Sequence, residues 1–302
     1  MPGPELEQAL RAQADYKVAL AGARDLEELR TLDAAIVPSW SGPPPGDVRQ
    51  EELDAGGVPA LRLTPPGAVQ GRVLLYLHGG GFVLGSPAAV ATPVARMARA
   101  ARAHALLPAY RLAPEHPYPV MVEDVVTAYR RLVADGTSPE GVVVAGESAG
   151  GGLVCAVVLA LRDAGDPLPA AAVAISPMVD FELRGASWQS NAGRDGFVTR
   201  ELVQQNVSVF LPGGDPAEAS PLNHDLEGLP PLLVQVGECE VLRDDAVAFA
   251  EKARAAGVDV TLEIWPDMIH LWHAFSDLPD AGRAVERIGR FVQERTAAAT
   301  SA

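Results

Sequence analysis

The sequence predicts an α/β fold in a single domain over residues 1–302, with a mostly parallel central sheet flanked by helices. Strand-like and helix-like segments alternate along the chain with no clear linker, the order that lays crossover helices on a parallel sheet. The apolar run 142–145 turns sharply, through Gly146-Glu147-Ser148-Ala149-Gly150, into a helix-like stretch over 151–162. A chain of this length buries roughly 75% of its unfolded surface in one large core. It carries no internal repeat and no long low-complexity tract.

Apolar runs bounded by Gly, Pro and polar residues put strands at 58–63, 72–77, 105–108, 141–145, 170–175, 232–236 and 258–264. Helical spacing of apolar residues puts helices at 88–102, 121–134, 148–164, 244–256 and 281–296. Two segments stand outside this alternation. Leucines and alanines recur at helical spacing among charges over 5–32, and Trp188, Phe197, Val203, Val207 and Phe210 are spread through a polar background over 181–211. Both are amphipathic pieces that need a surface to cover. Pro43-Pro44-Pro45-Gly46 and the charged run after it read as a connector from the first piece to the core.

The turn at 146–150 is a G-x-S-x-G pattern between a strand and a helix, the setting that gives the pattern chemical meaning. Such a turn forces the serine into a strained backbone conformation, at roughly 1–3 kcal/mol, and lifts its hydroxyl above the sheet edge. Upstream, the apolar strand 73–77 runs into His78-Gly79-Gly80-Gly81-Phe82. Acyl transfer builds negative charge on a carbonyl oxygen, and losing one backbone donor aimed at it costs roughly 3–4 kcal/mol of barrier. The amides of Gly79, Gly80 and Ala149 are the expected donors of such an oxyanion hole. No Lys-Ser/Thr follows the glycines, which argues against a phosphate-binding loop.

A nucleophilic serine needs a base, and the base needs an orienting acid, in the chain order serine, acid, histidine. His270 and His273 follow the apolar stretch 260–265; three residues apart, only one is expected to face Ser148, and His270, just past the strand, is the expected base. The strand 231–237 opens into a segment bearing Glu238, Glu240, Asp244 and Asp245. Glu240, three residues past the strand-ending glycine, is the best placed acid. Asp244 and Asp245 read as first-turn residues favoured by the helix dipole. Arg111 and Glu115 carry opposite charges in a loop stiffened by Pro114 and Pro117, which reads as an ion-paired support for the glycine loop. His78 and His116 read as scaffold, and no motif surrounds His104 or His224.

His78-Gly79-Gly80-Gly81, Tyr110-Arg111-Leu112-Ala113-Pro114-Glu115, Gly146-Glu147-Ser148-Ala149-Gly150-Gly151, Ser220-Pro221-Leu222 and Met268-Ile269-His270 stand in one order along the chain. Together they resemble the hormone-sensitive-lipase-like branch of the α/β-hydrolases, over roughly residues 70 to 295. Many relatives read Asp-Pro-Leu-x-Asp in the acid segment; here Glu240 and Val241 match the first two positions, so the resemblance implies Glu240 as the acid. It also implies an α/β-hydrolase fold with a helical cap built from about 1–45 and 181–215, and it makes a homodimer an expectation. The implied chemistry is hydrolysis of small, short- to medium-chain carboxylic esters through Ser148, His270 and Glu240 and an acyl-enzyme. A lactone hydrolase, or a deacetylase of a specialised metabolite, is the alternative; a non-catalytic small-molecule receptor is a remote one.

The formal net charge of −15 argues against nucleic acid or anionic membranes as partners. No apolar run approaches the roughly 18–20 residues that span a bilayer. The opening Met-Pro-Gly-Pro-Glu carries neither a basic nor an apolar signal region, so a cytoplasmic location is expected. Cys155 and Cys239 are expected to be reduced packing thiols. No Cys/His spacing suits a metal and no dinucleotide fingerprint is present, so neither a metal nor a cofactor is expected.

Overall fold

Uniformly apolar runs of five or six residues need both faces covered, and such runs build the centre of the molecule. In the computed structural model, which describes residues 3–43 and 45–296, one sheet holds eight strands: β1 (Arg49–Asp54), β2 (Pro59–Thr64), β3 (Val73–Leu77), β4 (His104–Pro108), β5 (Val142–Glu147), β6 (Ala171–Ile175), β7 (Leu232–Gly237) and β8 (Val260–Trp265). Their spatial order is β1-β2-β4-β3-β5-β6-β7-β8. β2 pairs antiparallel with both β1 and β4, and the remaining pairings are parallel. This is the mostly parallel sheet that the alternation predicts. Residues 1, 2 and 44, which belong to the expected cap segment and the proline-rich connector, lie outside the described residues.

Ten α-helices accompany the sheet among the described residues: α1 (Pro4–Ala21), α2 (Leu26–Ile36), α3 (Ala91–Ala101), α4 (Val120–Ala134), α5 (Ala149–Ala164), α6 (Ser187–Ser190), α7 (Arg200–Phe210), α8 (Pro216–Ala219), α9 (Arg243–Ala255) and α10 (Pro279–Arg295). The strand period of two divides the core. Along β3, Val73, Leu75 and Leu77 join the cluster under α4 and α5, whereas Leu74 and Tyr76 join the cluster under α3 and α10. Each fully buried aliphatic side chain of this kind contributes roughly 1.5–3 kcal/mol.

Three local expectations change. The charged run 49–54 is a strand, not a connector: β1 pairs with β2 along its whole length at the solvated edge of the sheet, where polar side chains carry no apolar alternation to detect. The 5–32 segment is two helices, because Asp25 restarts the chain by accepting the Glu28 amide at 2.9 Å. The helix expected from 88 begins at Ala91.

The N-terminal helix pair and the 181–211 segment meet above the carboxyl ends of the strands. Their contact is aromatic: Tyr16 stacks on Phe197 with centroids 5.3 Å apart, and Trp40, just past α2, meets the same Phe197 edge-on at 6.0 Å. Pairs of this geometry add roughly 0.5–1.5 kcal/mol beyond their area. α7 is started by Thr199, whose hydroxyl accepts the Leu202 amide, and it buries Val203, Val207 and Phe210.

Candidate active site

Ser148 lies between β5 and α5 with φ 56° and ψ −122°, a left-handed-side conformation that an L-residue adopts only under restraint. The restraint is visible. The Ser148 amide donates to the Ile175 carbonyl at 2.8 Å, and its own carbonyl accepts the amides of Gly152 (3.0 Å) and Met178 (3.2 Å). A Cβ on Gly150 would sit 2.2 Å from the Leu77 carbonyl oxygen and 2.4 Å from that of His78. Only glycine allows β3, β5 and α5 to close this tightly, and the closeness aims the serine side chain away from the sheet.

The glycine loop leaves the neighbouring strand, β3. His78 is buried, and burial pushes its imidazole down to about 4, so it is neutral. Its Nδ1–H donates to the Gly79 carbonyl at 2.8 Å, and the Tyr110 hydroxyl donates to the His78 carbonyl at 2.6 Å. His78 is thus scaffold, as expected. Gly79 departs from its expected role. Its amide donates to Glu147 Oε1 at 2.9 Å, so this donor is already committed. The amides of Gly80 and Gly81 have no acceptor among the described residues, and both residues line the same cavity as Ser148. Gly80 takes φ 113°, open to glycine alone, and a Cβ there would meet the Leu84 carbonyl at 2.2 Å. Ala149 begins α5, where the helix leaves its first amides without internal partners.

Glu147 also accepts the Tyr76 hydroxyl. Burial raises its carboxyl to about 7, against the lowering effect of the Gly79 amide and of His270. Glu147 therefore leaves the serine side chain alone while fixing the shape of the glycine loop.

Glu240 and His270 arrive on loops from β7 and β8. His270 Nδ1–H donates to Glu240 Oε2 at 2.7 Å, which leaves Nε2 to accept from the Ser148 hydroxyl at 2.9 Å. Glu240 and His270 have no exposed surface. Burial lowers the affinity of His270 for a proton, but the hydrogen bond and charge of Glu240, with Asp195 and Glu147 behind, outweigh it and raise the imidazole above its ordinary value. Glu240 Oε1 accepts the Gly237 amide (2.6 Å) and the Ser176 hydroxyl (2.8 Å), so both carboxylate oxygens are hydrogen-bonded. His273 faces elsewhere: its Nε2–H donates to Gln235 Oε1 at 3.0 Å, and burial keeps it neutral. Asp244 and Asp245 lie in the first turn of α9; Asp244 accepts the Ser187 amide and Asp245 the Trp188 indole.

Arg111 and Glu115 do not pair with each other. Arg111 makes a two-toothed contact with Asp124 on α4, and Glu115 is taken by Arg30 at 2.7 and 2.8 Å. The same guanidinium donates to the carbonyls of Val83 and Ala113, each at 3.0 Å, and so ties α2 to both loops. Asp33, also on α2, accepts the Tyr16 hydroxyl (2.6 Å) and the Gly85 amide (3.1 Å). Neither Arg30 nor Asp33 has a sequence signal, because their partners lie 17 to 85 positions away.

Ser148, Gly80 and Gly81 form the floor of a cavity of about 690 Å³, and Leu29, Phe197, Leu202, Val209 and Leu271 are among its mainly apolar walls. Phe197 stacks against the His270 ring with centroids 5.6 Å apart. Cys155 and Cys239 are free and buried. Among the described residues, no three His, Cys, Asp or Glu side chains group as a metal site, and no helix is long and apolar enough to cross a membrane.

Comparison with known proteins agrees with this geometry. A family model described as the α/β hydrolase fold matches residues 74–274. An acetyl-hydrolase of Streptomyces hygroscopicus is 45% identical over 258 residues, covering 84% of this chain and 85% of that protein. A putative acetyl-hydrolase of Mycobacterium tuberculosis, LipR, is 33% identical over 91% of this chain and 88% of its own length. The crystal structure of an esterase from the bacterial hormone-sensitive lipase family matches with a TM-score of 0.95 and 43% identity, over 98% of this chain and 99% of that one. The chain belongs to the α/β-hydrolase fold family and, within it, to the esterases of the hormone-sensitive-lipase branch.

Proposed function

We propose that this esterase hydrolyses small carboxylic esters of short to medium acyl chain, with Ser148 as nucleophile, His270 as general base and acid, and Glu240 as the orienting carboxylate. The observation that carries the reading is the unbroken hydrogen-bond chain from Glu240 through His270 to Ser148, ending at the floor of the apolar cavity. His270 takes the hydroxyl proton as Ser148 Oγ bonds to the ester carbonyl carbon. The tetrahedral oxyanion is received by the amides of Gly80, Gly81 and Ala149. His270 then returns the proton to the departing alcohol, leaving an acyl-enzyme, and water repeats the cycle to release the acid.

In this reading, residues 1–45 and 181–215 form a cap over a single α/β-hydrolase domain, and the cap walls keep bulk water from the site. A dry site strengthens each interaction with the oxyanion. Short acyl groups are favoured by the acetyl-hydrolase name that the Streptomyces relative carries. That name also favours a second reading, removal of acetyl groups from a larger metabolite, in which the cavity receives the alcohol portion. The test is hydrolysis of p-nitrophenyl acetate, butyrate, octanoate and palmitate, beside acetylated alcohols and lactones. Turnover is expected to peak at the short chains and to fall roughly 10⁶-fold in Ser148→Ala. Turnover that survives Ser148→Ala, or a preference for palmitate or for lactones, would overturn the reading.

A further inference from the structure

The loops bearing Glu240 and His270 leave the carboxyl ends of β7 and β8, and backbone carbonyls in each are met by a buried carboxamide from outside the sheet. Gln13 on α1, with no exposed surface, donates from Nε2 to the His270 carbonyl oxygen at 2.5 Å. Asn191, directly after α6 and 2% exposed, donates from Nδ2 to the carbonyls of Glu238 (2.9 Å) and Glu240 (2.8 Å). Asp195, four residues further on, accepts the Val241 amide at Oδ2 (3.0 Å), while Oδ1 accepts the amides of Phe197 and Val198 (3.0 and 2.9 Å). Phe197 then lies against the imidazole of His270, and Tyr16, one turn along α1 from Gln13, stacks on Phe197.

The Gln13 contact is a poor choice for stability alone. The Gln13 Oε1 atom is buried without a partner among the described residues, a condition that costs about 1–3 kcal/mol. An apolar side chain of the same size would avoid that cost but could not donate to the His270 carbonyl. The division of labour is also clear: the core holds the carboxylate of Glu240, through Gly237 and Ser176, whereas α1 and the 187–198 segment hold the backbone of both loops.

We infer that Gln13, Asn191 and Asp195 form a clamp that positions the acid and base loops, so that alignment of Glu240, His270 and Ser148 depends on docking of the two segments that carry the clamp. The inference rests on the triad reading above. The three are positioning residues: they act through the loop backbone and touch neither Ser148 nor the reacting atoms. A misplacement of about 1 Å at the reacting atoms costs about 100-fold in rate.

Gln13→Met and Asn191→Leu keep nearly the same volume and remove the donor. Their kcat, KM and pH–rate profiles are to be measured beside Ser148→Ala, at a temperature well below each variant's Tm. Each is expected to lose about 100-fold in kcat with KM little changed. The acid limb of the profile is expected to move to lower pH, as the imidazole loses its alignment with Glu240. A variant that is merely less stable would recover full kcat in the cold and keep the wild-type acid limb, and that result overturns the clamp. Should Gln13→Met fail to fold, Asn191→Leu carries the same test on the acid loop, and Asp195→Asn is read by kcat alone, because its lost charge moves the acid limb whether or not the loop shifts. Ser148→Ala separates the two claims. Activity in that variant overturns the triad reading itself. An inactive Ser148→Ala, beside wild-type kcat in the clamp variants, overturns the clamp alone.

Discussion

Ser148 is held by backbone packing against the neighbouring strands β3 and β6, whereas the loops of His270 and Glu240 are held by side chains, one of which arrives from the far end of the chain. Around the serine, the constraint is hard contact: carbonyls of β3 and β6 lie against α5, and glycines leave no side chain to absorb a shift. Around Glu240 and His270, the constraint is a handful of hydrogen bonds, one of them spanning 257 positions from Gln13 to His270. The contrast teaches that one half of the proposed machinery is rigid by sterics and the other is adjustable. A sterically closed turn fails all at once, while a hydrogen-bonded loop loses alignment by degrees.

The comparison is broken most severely at Gly150. A methyl group there meets two backbone carbonyls at 2.4 Å or less, neither of which can rotate away. Gly150→Ala is expected to destabilise by about 4 kcal/mol or more and to abolish activity, as read by denaturant unfolding. A soluble, active Gly150→Ala protein with an unchanged midpoint would show that the turn is softer than its contacts imply.

The adjustable half fails without unfolding. In Glu240→Gln, the amide oxygen still accepts from Gly237 and Ser176, while the amide nitrogen faces His270 Nδ1. That arrangement favours the tautomer with a proton on Nε2, which cannot receive the Ser148 proton. The expected loss is about 10⁴-fold in kcat with Tm nearly intact. A loss of only a few-fold would remove Glu240 from the role of orienting acid.

The smallest effect is one of pH. His270 must be neutral to act as base, and its proton affinity is raised by Glu240, Asp195 and Glu147 despite burial. Because the protonated form is the one favoured, activity is expected to fall as pH drops through a pKa raised from the ordinary histidine value, by about tenfold per pH unit below it. In Asp195→Asn one of the raising charges is gone, and the acid limb of kcat/KM is expected to move to lower pH. An unmoved or rising limb would mean that another group sets the profile.

Much of this was legible in the residues themselves. Ser148, the loop 78–82 and the strands β3, β5 and β7 announce themselves, because a turn that needs glycine and a run that needs burial are written locally. His270 follows from its position just past a strand end. Gly79 was misread for a physical reason: a row of glycines does not reveal which amide is already taken, and that depends on Glu147 reaching back from the next strand but one in sequence. β1 escaped notice because an edge strand in water has no apolar face to display. Arg111 and Glu115 found other partners, since charges a few residues apart in a rigid loop pair with whichever helix packs beside them.

Sequence alone determined the α/β alternation, the strained serine turn, the glycine loop and the identity of the histidine, because each rests on forces that act within a few residues or on the period of one element. Tertiary structure alone decided which amides of the glycine loop stay free, and that Gln13 and Asn191 meet the loops bearing His270 and Glu240. Those outcomes depend on groups brought together by packing across the whole chain. A hydrogen bond carries no trace in sequence when its donor and acceptor are joined only by the fold.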